Sequence, residues 1–340
     1  MSRVPCSARS RYRDAATFPR VAHMKVLVTG GAGFIGANLC RSLLRRPGVQ
    51  EVVAYDDLST GFRDNLDGIG ARLVVASILD EPSLRAEMEG VSAVVHLAAR
   101  PSVPRSLADP VATHRVNSSG TVAVLEAARA VDAYVVIASS SSVYGANPVL
   151  PKREDLMPLP MSPYAASKLA AESYAFAWAR SFALDVLTFR LFNVFGPLQR
   201  AGHSYAAAVP VFVEAALGER SLPVYGDGHQ TRDFTFVDTV TDVLGDAVLG
   251  RVRCDGPVNL ALGTRTSLLQ VIDTLERVLG RPLERDHLPA RVGDVRDSQA
   301  DRTRLLSLFP NVGVVGLEDG LRDTVRWFEK EQRVQLGHGH

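Results

Sequence analysis

The stretch Thr29-Gly30-Gly31-Ala32-Gly33-Phe34-Ile35-Gly36, directly after the run Lys25-Val26-Leu27-Val28, decides how this chain folds. Glycines at this spacing between a strand and a helix allow a tight turn and a close approach of backbone N–H groups to a pyrophosphate. The next strand ends in Asp56, twenty residues beyond Gly36, where a carboxylate can accept hydrogen bonds from an adenosine ribose. The turn therefore predicts a dinucleotide site.

The carboxylate of Asp56 favours NAD over NADP, because a 2′-phosphate would face a like charge. Arg63 lies close enough to Asp56 in sequence to pair with a 2′-phosphate, so NADP remains an alternative.

Composition is typical of a globular enzyme with one large or two smaller domains: 340 residues, 46% hydrophobic, 22% charged, with a formal net charge of +1. No stretch approaches the roughly 18 apolar residues of a membrane span, and the near-neutral charge gives no field that gathers nucleic acid. We therefore expect neither a membrane nor a nucleic acid as partner. Cys6, Cys40 and Cys254 have no metal-ligand spacing, which predicts free thiols in a reducing cytoplasm and no metal site.

The alternation of elements predicts the domain organisation. Residues 1–23 lack an apolar core segment and are expected to be a disordered tail or an upstream start. Over residues 24–195, short β-branched runs such as Leu73-Val74-Val75 alternate with helical stretches and predict buried parallel strands. The predicted fold class is α/β, a doubly wound (Rossmann) parallel sheet, with residues 196–335 forming mainly a smaller C-terminal α/β substrate domain.

A candidate catalytic pair follows Ser162-Pro163, where a helix is expected to begin. Tyr164 and Lys168 stand at i and i+4 and project from one face of that helix. A neighbouring ammonium and a positive nicotinamide ring both favour the phenolate, which makes Tyr164 a usable base at neutral pH. In the preceding serine run, residues 139–142, Ser140 is best placed to bond the reacting hydroxyl and relay its proton.

Together these motifs resemble the extended short-chain dehydrogenase/reductase family, and most closely its UDP-glucose and UDP-N-acetylglucosamine 4-epimerases. Further stretches that carry the resemblance are His96-Leu97-Ala98-Ala99, Ser102-Val103-Pro104-Arg105-Ser106, the segment from Arg190 to Gly196, the segment from Gly226 to Phe234, and the segment from Gly293 to Asp301.

The resemblance implies a nucleotide-sugar 4-epimerase with NAD that stays tightly bound and is regenerated in each turnover. Hydride would pass from sugar C4 to the cofactor and return to the opposite face of a transient 4-keto sugar. UDP-glucose and UDP-galactose are the expected substrates. Ser298 leaves room at the sugar C2 substituent, so UDP-GlcNAc and UDP-GalNAc are expected substrates as well.

The same resemblance assigns site residues. The cofactor is expected to contact Gly30, Gly33, Phe34, Ile35, Gly36, Asp56, Asp57, Ser77, Ile78, Leu97, Ala98, Ala99, Asn117, Ser139, Tyr164 and Lys168. The substrate is expected to contact Ser102, Ser140, Ser142, Tyr164, Asn193, Val209, Arg232, Arg291, Asp294 and Ser298. In this assignment Asn117 orders the nicotinamide end, Arg232 with Arg291 clamps the diphosphate, and Asp294 binds the uridine ribose.

Two departures from the family pattern bear on the reaction and on the cofactor. Hydroxyls at Ser140, Ser141 and Ser142 replace the Asp and Glu of the dehydratases and the Glu of the decarboxylases, which disfavours both of those reactions. Ser77 stands where an Asp commonly holds the adenine, so cofactor retention is expected to be looser.

Several alternatives stay open at the level of sequence. The serine run also resembles uronate 4-epimerases, with Arg105 or Arg200 as partner for a 6-carboxylate. A dTDP-sugar, another NAD-dependent nucleotide-sugar-modifying enzyme and a catalytically silent NAD-binding sensor also remain. A homodimer is expected through a four-helix bundle that uses Val111 to Ala130 and Tyr164 to Arg180.

Overall fold

The computed structural model describes residues 23–201, 207–290 and 296–337 and divides into two compact units. The first unit runs to Val143 and includes Ser162–Arg190 and Thr241–Val258. The second comprises Tyr144–Met161, Leu191–Val240 and the chain from Asn259 onward. The chain crosses between the units after Val143, Met161, Arg190, Val240 and Val258, and the domain boundary expected near residue 196 stays a prediction.

The strands are short, like the β-branched runs from which they are predicted. They are β1 (Met24–Thr29), β2 (Val49–Asp56), β3 (Arg72–Val75), β4 (Val91–His96), β5 (Tyr134–Ser140), β6 (Val186–Leu191), β7 (Asn193–Phe195), β8 (Leu222–Tyr225), β9 (Thr231–Arg232), β10 (Phe234–Phe236), β11 (Val258–Leu260), β12 (Thr266–Ser267) and β13 (Arg285–Leu288).

The α-helices lie between these strands or follow them. They are α1 (Phe34–Leu44), α2 (Glu81–Glu87), α3 (Val103–Ala108), α4 (Pro110–His114), α5 (Gly120–Ala130), α6 (Pro163–Phe182), α7 (Ala208–Leu217), α8 (Val237–Gly250), α9 (Leu268–Leu279), α10 (Thr303–Leu308) and α11 (Leu317–Gly337). A single π-helical turn, Arg115–Ser119, joins α4 to α5. No helix in the described part of the chain is long and apolar enough to cross a membrane.

A seven-stranded sheet in the order β11-β6-β5-β4-β1-β2-β3 forms the framework. The pairs β1/β2, β1/β4, β2/β3 and β4/β5 are parallel. Strand order reverses between β1 and β4, and at such a point the carboxyl ends of neighbouring strands open a crevice in which dinucleotides bind. The predicted doubly wound α/β sheet is confirmed, and the glycine-rich turn lies at this crevice.

One face of the sheet packs on α2, α5 and α6 through a continuous apolar layer. Leu27, Val94 and Val135 of the sheet and Val124 and Leu125 of α5 belong to it, all fully buried. Burial of each such side chain contributes about 1.5–3 kcal/mol. This layer fixes the position of α6 relative to the strand ends.

The prediction that Leu73-Val74-Val75 is buried on both faces is wrong. β3 is the edge strand of the sheet, and the side chain of Val75 is 50% exposed. An apolar run indicates a strand, but burial depends on its place in the strand order, which local sequence does not specify.

The second unit is built from small sheets and helices. β10 pairs with β7, β12 with β9 and β13 with β8, each as a two-stranded sheet. Side chains of Phe195, Phe234 and Phe236 pack edge to face in its core.

Candidate active site

The glycine-rich turn has the close contacts that its sequence predicts. Gly30 adopts a φ of +70°, and a Cβ there would lie 2.8 Å from the backbone nitrogen of Ala98. A Cβ on Gly36 would lie 2.1 Å from the carbonyl oxygen of Gly30. Gly33 is the N-cap of α1 and provides no side-chain cap, so the first N–H groups of that helix face the crevice as an anion site. Phe34 and Ile35 form the first turn of α1.

Asp56 closes the other side of the turn and is 7% exposed. Its Oδ2 accepts from the backbone nitrogen of Ala32 at 3.0 Å and its Oδ1 from that of Leu58 at 2.8 Å. Burial raises the pKa of Asp56, while these backbone hydrogen bonds act in the opposite direction. A carboxylate fixed beside the turn, with lone pairs beyond these two bonds, fits the adenosine ribose of NAD.

The other residues predicted for the adenosine side follow the same strand ends. The side chain of Asp57 accepts from the backbone nitrogen of Ser59 at 2.9 Å. Ser77 accepts at its hydroxyl from the backbone nitrogen of Leu79 at 3.3 Å. Ile78 is buried, and Leu97, Ala98 and Ala99 continue from the end of β4.

A buried hydrogen-bond chain connects β1, β4 and α5 beneath the crevice. The hydroxyl of Thr121 donates to the carbonyl oxygen of Asn117 at 2.6 Å, so it can only accept from Nε2 of His96 at 3.0 Å. Nδ1 of His96 then accepts from the hydroxyl of Thr29 at 2.7 Å. Burial and the charge of Lys168 lower the pKa of His96 to about 3, so this ring is neutral and carries its proton on Nε2.

Asn117 lies in the π-helical turn and connects two parts of the site. Its Oδ1 accepts from the backbone nitrogen of Arg100 at 2.7 Å, and its Nδ2 donates to the hydroxyl of Ser167 at 2.9 Å. Ser167 donates in turn to the carbonyl oxygen of Tyr164 at 2.7 Å. The loop after β4 is thereby joined to the first turn of α6.

The three candidate catalytic residues come together in the first unit. Ser162 caps α6 by accepting from the backbone nitrogen of Ala165 at 3.1 Å, so the helix starts just before Tyr164. Nζ of Lys168 donates to the carbonyl oxygen of Ala138 at 2.8 Å. Burial raises the pKa of Tyr164, and a hydrogen bond with Ser140 opposes that rise. A hydroxyl that reaches both Tyr164 and Ser140 can exchange its proton there.

Next to this group lies a buried ion pair. Glu172 of α6 accepts two bonds from Arg190 of β6, at 2.9 Å and 2.8 Å, and a third from the hydroxyl of Ser139 at 2.5 Å. The two charged side chains are 4% and 3% exposed. Burial lowers the pKa of Lys168 to about 8, and the carboxylate of Glu172 opposes this shift.

Two further serines predicted to contact the substrate have unusual local structure. Ser102 caps α3 with a φ of +94°, a region that side chains rarely adopt and that costs about 1–3 kcal/mol. The hydroxyl of Ser142 is buried without a hydrogen-bond partner in the described structure. A strained backbone and an unpaired hydroxyl both suit a ligand contact.

The second unit contains a cavity of about 170 Å³. Three predicted substrate residues line it: Asn193, Val209 and Arg232. Gln199 and Gln230 also line it, and the Oε1 atom of each is buried without a partner in the described residues. Both Oε1 atoms are covered by protein atoms, so a ligand in the cavity would reach either one only after the side chain rotates.

Arg232 and Ser298 are joined by the backbone around β9. The guanidinium of Arg232 donates to the carbonyl oxygens of Thr231 at 2.9 Å and Arg296 at 3.1 Å. The backbone nitrogen of Ser298 donates to Thr231 at 3.1 Å. Arg291 and Asp294 lie outside the described residues.

Asp233, which follows β9, joins that strand to the chain segments around Gly263 and Ala300. The side chain is fully buried and accepts from the backbone nitrogens of Gly263 and Ala300, both at 3.0 Å, and from the hydroxyl of Thr264 at 3.0 Å. Burial raises its pKa, and these hydrogen bonds oppose the rise. In the described residues no cluster of three His, Cys, Asp or Glu side chains could hold a metal ion.

A parallel sheet with a glycine-rich turn at its crevice, an acidic residue after β2 and a Tyr-Lys pair beside a serine defines a dinucleotide-dependent enzyme that moves protons at a hydroxyl. The chain belongs to the NAD dependent epimerase/dehydratase family, which it matches over residues 26–249. The turn and Asp56 fit that cofactor.

The relatives include several 4-epimerases. A UDP-glucose 4-epimerase of Mycolicibacterium smegmatis is 37% identical over 328 residues, covering 91% of this chain and 100% of that protein. The structure of UDP-N-acetylglucosamine 4-epimerase from Methanobrevibacter ruminantium M1, in complex with UDP-N-acetylmuramic acid, has a TM-score of 0.86 at 33% identity and covers 91% and 99% of the two chains. UDP-glucuronic acid 4-epimerase from Bacillus cereus, in complex with UDP-glucuronic acid and NAD, has a TM-score of 0.82 at 30% identity and covers 91% and 100%.

Sequence reasoning missed the groups that support the site. Glu172 continues the spacing of Tyr164 and Lys168 by four more residues, and that periodicity could have indicated it. The partner bonds of His96 depend on Thr29 and Thr121, which are distant in the chain, and no local pattern indicates them.

Proposed function

We propose that this chain is an NAD-dependent nucleotide-sugar 4-epimerase that interconverts UDP-glucose and UDP-galactose. The observation that carries the proposal is the meeting of Tyr164, Lys168 and Ser140 at the carboxyl end of β5, with hydroxyls alone at residues 140–142. The resemblance to 4-epimerases over 91% of the chain supports the same reaction.

In the proposed reaction, the residues of the chain transfer the proton of the sugar 4-hydroxyl and stabilise the group that accepts it. Bound NAD supplies a hydride acceptor and donor for sugar C4. Tyr164, as phenolate, takes the proton of the sugar 4-hydroxyl and returns it when the centre has inverted. Burial raises the pKa of Tyr164, and the charges of Lys168 and of the positive nicotinamide ring would oppose that rise and stabilise the phenolate. Ser140 would hold the sugar oxygen by a hydrogen bond.

The absence of carboxylates at residues 140–142 separates this reaction from dehydration and decarboxylation. Removal of a C5 proton needs a base that is ionised near pH 7, and serine hydroxyls are not. Inversion at C4 needs only the Tyr164 phenolate as base. The serine run therefore favours epimerisation.

The second unit supplies the features for a nucleotide diphosphate. Arg232 can grip phosphate oxygens with charge-assisted bonds, and Asn193 can bond the sugar or its diphosphate. The Oε1 atom of Gln199 or of Gln230, turned toward the cavity by rotation of the side chain, would accept from the one ring N–H of uracil. Thymine carries the same N–H group, so a dTDP-sugar is the neighbouring possibility.

A panel of UDP- and dTDP-sugars, with products analysed by NMR, tests the function. UDP-galactose deuterated at C4 is expected to yield UDP-glucose that retains the deuterium, without net consumption of added NAD. Loss of the label to solvent, or a stoichiometric demand for NAD with an oxidised product, would contradict the proposal.

A UDP-glucuronate 4-epimerase is the second candidate, favoured by the structural similarity to the Bacillus cereus enzyme. Arg105 of α3 and Arg200 are the candidate partners for a 6-carboxylate. Turnover of UDP-glucuronate without turnover of UDP-glucose would select this activity.

Ser298 is proposed to admit an N-acetyl group at sugar C2. The substitution Ser298→Tyr fills that space and is expected to abolish turnover of UDP-GlcNAc and UDP-GalNAc while UDP-galactose is still converted. Unchanged turnover of the N-acetylhexosamines would exclude this role.

The functional unit is proposed to be a cytoplasmic homodimer through α4, α5 and α6. Val111 of α4 is 67% exposed and Phe182 of α6 is 50% exposed, so apolar surface lies on the helices that would form a four-helix bundle. The buried thiols of Cys40 and Cys254 suit a reducing compartment. A monomer mass by light scattering at micromolar concentration would contradict the dimer.

A further inference from the structure

Glu172 lies directly behind the candidate catalytic group and has no part in the reaction as proposed. Tyr164, Lys168 and Glu172 follow one another at four-residue intervals on α6, so they share one side of the helix. The carboxylate of Glu172 accepts hydrogen bonds from Arg190 and Ser139, and its side chain is buried.

The buried Glu172–Arg190 ion pair is not expected from stability considerations alone. In many proteins the free-energy cost of removing two charges from water exceeds the free energy gained from their attraction. Apolar residues of similar volume at such positions often give equal or greater stability. The Glu172–Arg190 pair is therefore not explained by stability alone. Its neighbours are the residues that the reaction depends on.

The first of these neighbours is the end of β5. Ser139 donates to Glu172 at 2.5 Å, and Ala138 accepts from Lys168 at 2.8 Å. These two residues directly precede Ser140. The carboxyl end of β5 is thereby bound to α6 at two successive positions, which sets the distance from Ser140 to Tyr164.

The second neighbour is the Lys168 ammonium. The groups around it are Tyr164 and Glu172 of α6, the neutral His96 of β4 and the paired Arg190 of β6. The other elements that pack on α6 are α3, α4, the π-helical turn, α5 and β5. They contribute the charged or titratable residues Arg105, His114, Arg115, Glu126, Arg129 and Tyr134, of which Glu126 and Arg129 pair with each other. Glu172 is the carboxylate that acts on Lys168.

We propose that Glu172, oriented by Arg190, is a positioning residue of the reaction: its carboxylate balances the charge of the Lys168 ammonium and fixes the end of β5 that carries Ser140. Arg190 is the second member of this device, because its two bonds fix the plane of the carboxylate. The turnover measurements below rest on the proposed epimerase function, whereas the titration of Lys168 does not.

The test uses a variant that removes both charges, Glu172→Gln with Arg190→Met. Either single change would leave a buried charge unpaired, whereas the double variant leaves none and keeps an acceptor for Ser139. The alkaline limb of its kcat/KM profile for UDP-galactose is expected to move to lower pH by up to about one unit, because Glu172 is the charge that acts on Lys168 and the loss of Arg190 offsets its removal only in part. An unmoved limb would overturn the proposal.

Lysine NMR gives a readout that does not require a substrate. The chain contains only four lysines, Lys25, Lys152, Lys168 and Lys330, so a sample with 13C-labelled lysine gives few side-chain signals. The signal lost in Lys168→Arg assigns Lys168. Its titration midpoint is expected to fall by up to about one pH unit in the double variant. A midpoint equal to that of the unchanged protein would overturn the role of Glu172 even if no sugar is turned over.

Ser139→Ala is the matched control, because it removes one bond to Glu172 and leaves every charge in place. It is expected to lower kcat about threefold to tenfold, with the Lys168 midpoint unmoved. A shift of that midpoint as large as in the double variant would contradict the charge role.

If the double variant does not fold, Glu172→Asp takes its place. This variant retains the charge and shortens the side chain, so the Lys168 signal is expected to titrate as before while kcat falls at constant KM. An unchanged kcat would overturn the positioning role.

Discussion

The two units differ in how the buried polar atoms of their candidate site residues are bonded. In the first unit, the side chains of Thr29, His96, Asn117 and Glu172 all bond within the protein, and among the predicted site residues there the hydroxyl of Ser142 is the exception in the described structure. In the cavity of the second unit, the Oε1 atoms of Gln199 and Gln230 are buried without partners in the described residues.

This difference indicates which part of the site is complete before a ligand arrives. A fully bonded network holds its groups in one arrangement and adds to stability, which suits chemistry that demands fixed geometry. An unpaired buried acceptor costs about 1–3 kcal/mol until a ligand bonds it. The first region is therefore preorganised for reaction, and the second is adapted to recognition.

The largest expected effect tests the preorganised region directly. Tyr164→Phe removes the proton acceptor and is expected to lower kcat for UDP-galactose by about 10²–10⁴-fold while bound NAD is retained. Tyr174→Phe, on the same helix, is the matched control and is expected to keep near wild-type activity. Equal activity of the two variants would favour a non-catalytic NAD-binding protein.

The glycine turn is expected to show the next largest effect. In Gly36→Ala the new Cβ meets the carbonyl oxygen of Gly30 and displaces α1, which weakens NAD binding by about tenfold to a hundredfold. Gly313→Ala is the control, since a Cβ there meets nothing within 4 Å. Calorimetric titration with NAD measures both. Equal dissociation constants would show that the turn tolerates a side chain.

The buried chain through His96 predicts how acid acts on stability. The unfolded chain takes up a proton as pH falls through about 6.5, whereas the folded protein holds His96 neutral down to about pH 3. Because the unfolded state binds more protons in this window, this group lowers the free energy of unfolding by about 1.4 kcal/mol per pH unit, or about 2 kcal/mol at pH 5.

Urea unfolding at pH 7, 6 and 5 measures this acid dependence. His96→Asn is expected to flatten it, while His114→Asn, which changes an exposed histidine of α4, leaves the dependence as it was. Parallel curves for His96→Asn and the unchanged protein would contradict the assignment of the neutral ring.

The smallest expected effect concerns the cavity of the second unit, where Gln199 has an unpaired buried acceptor in the described structure. Gln199→Met removes the unpaired Oε1 atom but also the bond from Nε2 to the carbonyl oxygen of Val194 at 3.2 Å. The two changes oppose each other, so the free energy of unfolding is expected to change by about 1 kcal/mol or less. UDP binding is expected to weaken by about tenfold or less, because a bond to the base is lost. Weaker binding together with a large loss of stability would show that Gln199 belongs to the framework instead.

Local spacing accounts for what could be predicted from sequence. The Gly30–Gly36 turn, Asp56 and the pair Tyr164 and Lys168 each lie within one element or at one junction, where chain geometry determines the outcome. These patterns also predict the order of strands and helices in the first unit.

The rest depends on contacts between distant residues. Arg190 meets Glu172 because β6 lies beside β5 in the sheet, and the exposure of Val75 follows from the edge position of β3. Neither follows from a local pattern, since both require the strand order. The bonding of Gln199 and the strain at Ser102 likewise become visible only in the folded chain.

The spacing of Tyr164, Lys168 and Glu172 on one helix restricts how this chain can vary. One inserted residue after Tyr164 would rotate everything beyond it by about 100°, turning Lys168 and Glu172 away from β5 together. Homologous enzymes with a new sugar preference should therefore keep α6 at constant length and differ in the loops around β9 and α7. Those loops are where a search for altered specificity should begin.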